Sequence, residues 1–271
     1  MKKVISMSLW GNNPHYVIGA ILNADIAKEE WLDWTCRYYV SPNVPESAVK
    51  ELASRDNTEV ILMNEDVGWN GMFWRFYAAG DSEVDVMISR DTDSRISVRD
   101  KAAVDEWLSS DKDFHIMRDM CQHGWAVCGG MWGARNGILS NIVEMINNYS
   151  RKDHDNNHGI DQHFLTGIYS HLYHRAFIHD DWFPNKFMME QKHPFPIPRL
   201  RGEGWWNTDF PDWHSGIEDD EEKYDWKNNG GHCFLKCPAC KIWHDNDYIG
   251  KLRSVTKKEK EKYSHIIEDL D

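Results

Sequence analysis

The first 180 residues alternate between two hydrophobic periods. Val4 to Leu9 is a nearly continuous apolar run of strand length, and it stops at the turn cluster Gly11-Asn12-Asn13-Pro14. Pro14 suits the first turn of a helix, and Val17, Ile18, Ile21, Leu22 and Ile26 then recur on one helical face. Thr35 to Val40 predicts a second strand. Pro45 opens a short helix with Val49 and Leu52 inward, and Glu59 to Met63 predicts a third strand. Trp69 to Ala79 predicts a helix, and Val84, Val86, Met87 and Ile88 a buried strand behind it. Ala126 to Trp132 predicts a strand running through a glycine pair. Ile138, Leu139, Ile142, Val143 and Ile146 mark an amphipathic helix, Asp153 to His158 a polar loop, and Ile160, Phe164, Leu165, Ile168 and Leu172 another helix. Ala176 to Ile178 predicts a short strand entering His179-Asp180-Asp181. Strands separated by helices in this way predict an α/β fold with a mostly parallel sheet. No internal repeat is visible.

From about Phe183 the periodicity weakens. Pro184, Pro194, Pro196, Pro198 and Pro211 cluster with tryptophans and with the acidic run Glu218-Asp219-Asp220-Glu221-Glu222. The chain is therefore expected to divide into a catalytic-type α/β domain, residues 1–182, and an irregular Trp- and Pro-rich C-terminal appendage, residues 183–271. The last fifteen residues read as a charged helix or a loose tail.

Length and composition narrow the class. A chain of 271 residues with 41% hydrophobic and 28% charged residues can bury a large core and matches an ordinary water-soluble globular protein. No apolar run approaches the roughly 18 residues that span a bilayer. The opening MKKVISMSLWGNNPHY lacks the apolar core and cleavage site of a signal peptide, so a cytoplasmic location is expected. The net charge of −13 argues against a broad, nonspecific grip on nucleic acid, though it leaves room for a local basic face. Six cysteines without a secretion signal should be reduced thiols or metal ligands. Fourteen tryptophans exceed the usual share; most should be core, although sugar and base platforms use the same residue.

The candidate chemistry gathers at strand ends. The buried strand ends in Asp91-Thr92-Asp93, two carboxylates one residue apart, at the edge where open α/β sheets bind ligands. Two such carboxylates repel and lose hydration unless a cation lies between them, and carboxylates with phosphates are the usual Mg²⁺ arrangement. The competing reading is a polar turn, where Asp is common. Strand one ends at Ser8-Leu9-Trp10-Gly11, where a nucleotide would sit. Arg75 precedes the carboxylate strand and Arg90 and Arg95 flank the motif; each is a phosphate contact or a surface ion pair. Gly129-Gly130-Met131-Trp132 offers a backbone that a ligand can approach closely beside an aromatic face, or a plain bulge. Asp161-Gln162 begins a helix, where an acid is also favoured by the helix dipole alone. His179, at a strand end before two acids, is a third-ligand candidate or a structural histidine.

The order of these residues resembles the metal-dependent glycosyltransferases of the GT-A fold. Ile160-Asp161-Gln162-His163-Phe164-Leu165 is similar to the acidic-Gln helix of glycogenin-like retaining enzymes. Trp34-Thr35-Cys36-Arg37-Tyr38-Tyr39-Val40 and Met87-Ile88-Ser89-Arg90-Asp91-Thr92-Asp93-Ser94-Arg95 resemble segments of a related bacterial and viral group. The resemblance covers roughly residues 2–182 and implies a GT-A-like, Rossmann-type sheet. It implies an enzyme that takes a nucleotide sugar, a UDP-sugar first, with Mn²⁺ or Mg²⁺. Asp93 would bind the ion directly, Asp91 the ion or the donor ribose, and His179 would complete the protein ligands. Arg75 or Arg95 would share the diphosphate charge. Asp161 would act as nucleophile or electrostatic stabiliser of an oxocarbenium-like state, and Gln162 would position the sugar. The chain departs from the family in one place: His179 runs into Asp180-Asp181-Trp182-Phe183 and not into His-x-x-Gly-x-x-Lys. Retention is the expected outcome, with inversion open.

A second candidate site lies in the appendage. Cys233, Cys237 and Cys240 with His232 or His244 offer four zinc ligands within thirteen residues, against a reduced thiol patch. Such a zinc would be structural and would supply folding energy to its segment. Cys36, Cys121 and Cys128 read as core or near-site thiols. The expected acceptor is a glycan or lipid-linked sugar. The alternatives are a hydroxymethylated pyrimidine in bacteriophage DNA, suited by the basic stretch Lys251 to Lys262, and a non-catalytic zinc-stapled interaction protein.

Overall fold

The computed structural model describes residues 1–64, 68–119, 123–150, 159–183, 185–197, 249–250 and 252–270. Eight strands form one sheet. In chain order they are β1 (Lys3–Leu9), β2 (Trp34–Val40), β3 (Thr58–Leu62), β4 (Val86–Ser89), β5 (Phe114–Arg118), β6 (Trp132–Arg135), β7 (Ala176–Asp180) and β8 (Lys192–His193). Their spatial order is β3-β2-β1-β4-β6-β5-β7-β8. All neighbouring pairs are parallel except the two made by β6, which runs antiparallel between β4 and β5. The fold is therefore α/β with a mostly parallel sheet. Among the described residues no helix is long and apolar enough to cross a membrane.

Burial on both faces explains the apolar runs. β1 and β4 are central, and a central parallel strand has no solvent face to alternate toward. One face is covered by α1 (Pro14–Glu30), α2 (Glu46–Ala53) and α3 (Val98–Leu108), which pack Ile18, Leu52 and Trp107 onto Ile5, Tyr38 and Ile88. The other face is covered by a 3₁₀ helix (Gly68–Gly80), α4 (Ile142–Ser150) and α5 (Ile160–Leu172), which contribute Phe73, Phe76, Ile146 and Phe164. α1 starts where the turn cluster predicts: the Asn13 side chain accepts from the His15 N–H at 2.9 Å, and Pro14 fills the first turn.

Several expectations need correction. Trp69 to Ala79 is helical but 3₁₀, with Gly71 to Phe76 buried between the sheet and the helices behind it and Trp69 exposed. The strand expected over Ala126 to Trp132 begins only at Trp132; the glycine pair lies in the turn before it. The helix expected from Ile138 begins at Ile142. Neither α3 nor β5 was anticipated, because charged residues interrupt the α3 face and β5 carries His and Arg among its five residues.

The described parts of the Trp- and Pro-rich region join the same body. β8 pairs with β7, and Phe195 packs with Met117, Met131 and Ile249. At the C-terminus α6 (Lys257–Lys262) begins with a capping box between Thr256 and Glu259. α7 (Ser264–Ile267) follows it, and Tyr263 and Ile266 enter the core beside α1 and α2.

Candidate active site

The parallel pairing of β1 with β4 brings Ser6 beside Ser89, so the chain leaves both strands at the same edge of the sheet. β2 lies on one side of β1 and β4 on the other, the strand-order reversal at which open sheets form a crevice. A cavity of about 320 Å³ lies there. Ser8, Leu9, Trp10 and Gly11 form one wall, Tyr16 from α1 and Trp69, Met72 and Arg75 from the 3₁₀ helix form others, and Asp91, Thr92 and Asp93 close it. Gly11 adopts φ of 74°, a left-handed conformation open to glycine, and its N–H donates to the Asn43 side chain at 2.7 Å. The sequence thus pointed to Ser8, Leu9, Gly11, Arg75, Asp91 and Asp93 as one group, and the fold brings them together.

Arg75 is the hub. Its backbone N–H donates to the Ser8 hydroxyl at 2.9 Å, which fixes the 3₁₀ helix to the end of β1. Its buried guanidinium forms one ion pair with Asp91 and another with Asp161, the latter at 2.8 Å. Burial pulls this guanidinium toward the neutral form, but the two carboxylates outweigh it and hold its pKa above the ordinary value. Asp161 is buried at the start of α5, and its other oxygen accepts the Gln162 N–H at 2.9 Å. Gln162 is half-buried in the same first turn, with its carbonyl bonded to Thr166 at 2.9 Å.

The glycine pair explains how this network fits. A Cβ on Gly129 would lie 2.1 Å from Asp161 Oδ2 and 2.6 Å from Arg75 Nη2, and one on Gly130 would lie 1.9 Å from Asp91 Oδ2. Only a residue without a side chain lets the turn pass so close to the carboxylates. Ser89 ties the turn down by donating to the Gly129 carbonyl at 2.7 Å.

Electrostatics single out Asp93. Burial and then the neighbouring Asp91 charge push its carboxyl up to about 7. A carboxylate pair so placed gains from a cation. Among the described residues no group of three or more His, Cys, Asp and Glu side chains is arranged to hold a metal ion. Two carboxylates with waters and phosphate oxygens nevertheless suit the hard ions Mg²⁺ and Mn²⁺, so this donor set fits such an ion. Tyr16 belongs to the same environment: burial, then Asp93 and Asp91, raise its phenol.

Four other candidates are placed elsewhere. His179 is fully buried within β7; its two ring nitrogens meet His115 at 2.9 Å and Glu106 at 3.1 Å. It is not brought to the carboxylate pair, and burial pushes its pKa down to about 4 despite Glu106. Arg90 is spent in the fold. It makes a two-point ion pair with Asp100 at 2.8 and 2.6 Å and donates to the Ser89 carbonyl, locking β4 to α3. Arg95 lies under the motif and donates to the Thr92 and Ser94 carbonyls at 3.2 and 2.7 Å. Trp132 is fully buried between Phe76 and Phe114, a core side chain and not an aromatic wall. Cys36 and Cys128 are buried, and burial pushes both thiols up to about 12, which removes them from nucleophilic chemistry. Cys121 and the candidate zinc ligands His232, Cys233, Cys237, Cys240 and His244 lie outside the described residues.

Sequence reading passed over Asn23 and Gly19. Asn23 sits fully buried on the apolar face of α1, and a polar residue at such a position is itself a signal. Gly19 is the point where α1 crosses the motif: a Cβ there would lie 2.1 Å from the Thr92 carbonyl oxygen. Of the aromatic residues on the cavity, the sequence pointed to Trp10 within the strand-end tetrapeptide, but not to Tyr16 or Trp69.

No protein-family model matches the chain, and no curated protein matches it in sequence. Solved structures do resemble it. The mannosyltransferase PcManGT from Pyrobaculum calidifontis, in complex with GDP-Man and Mn²⁺, is 14% identical, with a TM-score of 0.46, over 66% of this chain and 55% of that one. TarS of S. aureus is 13% identical, with a TM-score of 0.48, over 67% of this chain and 59% of that one. A glycosyltransferase involved in glycosylation of the major capsid of PBCV-1 is 11% identical, with a TM-score of 0.45, over 66% of this chain and 82% of that one. The chain thus spans less than two thirds of the first two. At these identities the similarity is one of chain path, and the activities of those proteins stay with them.

Proposed function

We propose that the chain is a nucleotide-sugar-dependent glycosyltransferase of GT-A type that uses Mn²⁺ or Mg²⁺. The observation that carries this reading is the convergence of Asp91 and Asp93 on the cavity beside β1, with Arg75 linking that pair to the buried Asp161. Asp93, with Asp91, would hold the ion. When bound, the ion supplies charge neutralisation at the diphosphate leaving group. The chain's own residues do the rest. The wall from Ser8 to Gly11, with Tyr16 and Trp69, would take the nucleoside in a setting of indole faces and backbone groups. Arg75 sets the spacing between the metal carboxylate and Asp161, so the leaving group and the sugar would be held in one frame.

Asp161 is better suited to electrostatic stabilisation than to attack. Both its oxygens already accept hydrogen bonds, one from Arg75 and one from the Gln162 N–H, which lowers their nucleophilicity while keeping the charge in place. We infer a retaining outcome in which this fixed anion faces the developing oxocarbenium-like charge and Gln162 orients the sugar. The acceptor would be a hydroxyl of a glycan or a lipid-linked sugar, and the donor a UDP-sugar.

The test is a thermal-shift panel of UDP-, GDP- and CMP-sugars with and without Mn²⁺, followed by product analysis with the donor that binds. The expected result is stabilisation by one nucleotide class that needs Mn²⁺ and disappears in Asp93→Ala. No stabilisation by any donor with Mn²⁺, and no donor hydrolysis, would overturn the reading in favour of a non-catalytic protein. The configuration of the product then decides between retention and inversion.

A further inference from the structure

The carboxylate motif lies beyond the end of β4, where one isolated bridge, Ser94 with Leu252, is its strand-like pairing among the described residues. Every carbonyl from Asp91 to Ser94 nevertheless has a donor. Asp91 O accepts from the Ser94 hydroxyl at 3.0 Å and from Asn23 Nδ2 at 3.5 Å. Thr92 O accepts from Arg95, Asp93 O from the Arg253 backbone N–H at 2.9 Å, and Ser94 O from Arg95 and from Asn23 Nδ2 at 3.0 Å. From outside the motif, Asn23 reaches both of its ends, and its Oδ1 also accepts the Ile96 N–H at 3.1 Å.

Asn23 lies on α1 with no exposed surface, so it has no solvent to fall back on for these bonds. Gly19, one turn earlier, lets the helix approach the Thr92 carbonyl closely enough for that amide to reach. A hydrophobic side chain at position 23 would serve the core between α1 and the sheet equally well. The amide serves the motif: its donor end takes carbonyls at Asp91 and Ser94, its acceptor end takes the Ile96 N–H two residues further on, and the loop between is held at fixed width.

We propose that Asn23 is a positioning residue of the metal site: it clamps the backbone of the Asp91–Ser94 loop and thereby sets the separation and direction of the Asp91 and Asp93 carboxylates. This rests on the metal-binding reading of those two aspartates. The Arg253 N–H, from the C-terminal segment, holds the outer side of the same loop independently. With Asn23 removed, the loop keeps its outer anchor and the local bonds from Ser94 and Arg95, but loses the amide that ties both of its ends to α1. The carboxylates then sample separations that suit no single ion, and affinity falls while the sheet and its two cores stay intact.

The experiment is a Mn²⁺ titration of the full chain, with free ion read by electron paramagnetic resonance, on wild type, Asn23→Ala, Ser94→Ala and Asp93→Ala. Folding of each is checked by circular dichroism well below its unfolding temperature. The expected result is wild-type binding, loss in Asp93→Ala, about a tenfold weaker affinity in Asn23→Ala, and a smaller weakening in Ser94→Ala, which keeps Asn23 but loses one bond to Asp91 O. Wild-type affinity in a folded Asn23→Ala would overturn the positioning role and leave the metal reading standing. If Asn23→Ala does not fold, Ser94→Ala decides, and unchanged affinity there overturns the clamp. No Mn²⁺ binding by wild type would overturn the metal reading and this role with it.

Discussion

Replacing Arg75 by Met should be among the most damaging single changes in this chain, and the structure says by how much and how to undo it. The guanidinium is buried, and it is the shared cation of Asp91 and Asp161. Methionine keeps the apolar stem, with its contacts to the 3₁₀ helix, and removes the charge. Asp161 then keeps one hydrogen bond, from Gln162, and has no counter-charge. Its side chain is only 3% exposed, so water cannot replace the lost partner. Breaking a buried pair in this way costs about 3–5 kcal/mol, because an uncompensated charge stays inside. Asp91, at 39% side-chain exposure, is partly hydrated and adds little. For a chain of this size the expected fall in melting temperature is on the order of 10 °C. The diagnostic is Arg75→Met/Asp161→Asn. Neutralising the stranded carboxylate should recover more than half of the loss, measured by urea unfolding at pH 7.5, although neither variant should retain the proposed transferase activity. If Arg75→Met unfolds within about 1 kcal/mol of wild type, or if the second change brings no recovery, the account of Arg75 as a buried hub is wrong.

Three further outcomes follow from the same geometry. Gly130→Ala drives a methyl into Asp91, and should cost at least tenfold in Mn²⁺ affinity by titration, with Gly167→Ala, whose Cβ would meet nothing and whose backbone is not left-handed, as a control for glycine loss elsewhere. Asn13→Ala removes the α1 cap and should lower stability by about 1 kcal/mol in urea unfolding. Acid should destabilise the fold through His115 and His179, whose pKa values burial lowers, that of His179 to about 4. The unfolded chain takes up protons near pH 6.5 that the fold refuses, so stability is full above that value and falls as pH drops toward 4. His179 alone should account for about 1 kcal/mol between pH 7.5 and 5.5. Asp93, raised to about 7, acts in the opposite sense over this interval, so the measurement belongs in Asp93→Asn; no loss there would refute the neutral histidine pair.

Much of this architecture is local in origin, and local features are legible in a sequence. β1, α1, β2 and α5 are found where apolar period, Pro14 and the turn cluster put them, because capping and periodic burial act within a few residues. Asp91-Thr92-Asp93 at the end of a buried strand, and Arg75 before it, were likewise readable as types of residue in a chain order. Other features depend on what lies across the sheet. β6 runs against its neighbours, and nothing in WGAR encodes that direction; it is set by where the chain has to return between β4 and β5. Arg90 and Arg75 look alike in sequence, yet one is consumed by Asp100 and the other opens onto the cavity. His179 looked like a ligand at a strand end and is a strand residue facing another histidine.

The sequence by itself determined the α/β alternation and the strand-end carboxylates, since each follows from the chemistry of neighbours along the chain; the need for glycine at 129 and 130 comes from Asp161, Arg75 and Asp91, which only the fold brings there. Tertiary structure alone decided which charges are spent inside and which face the cavity, and that Asn23 lies beneath the motif 68 residues away from Asp91. The reason is physical. The fate of a charged or amide group depends on whether a partner reaches it before water does, and those partners are brought by strand order and helix packing.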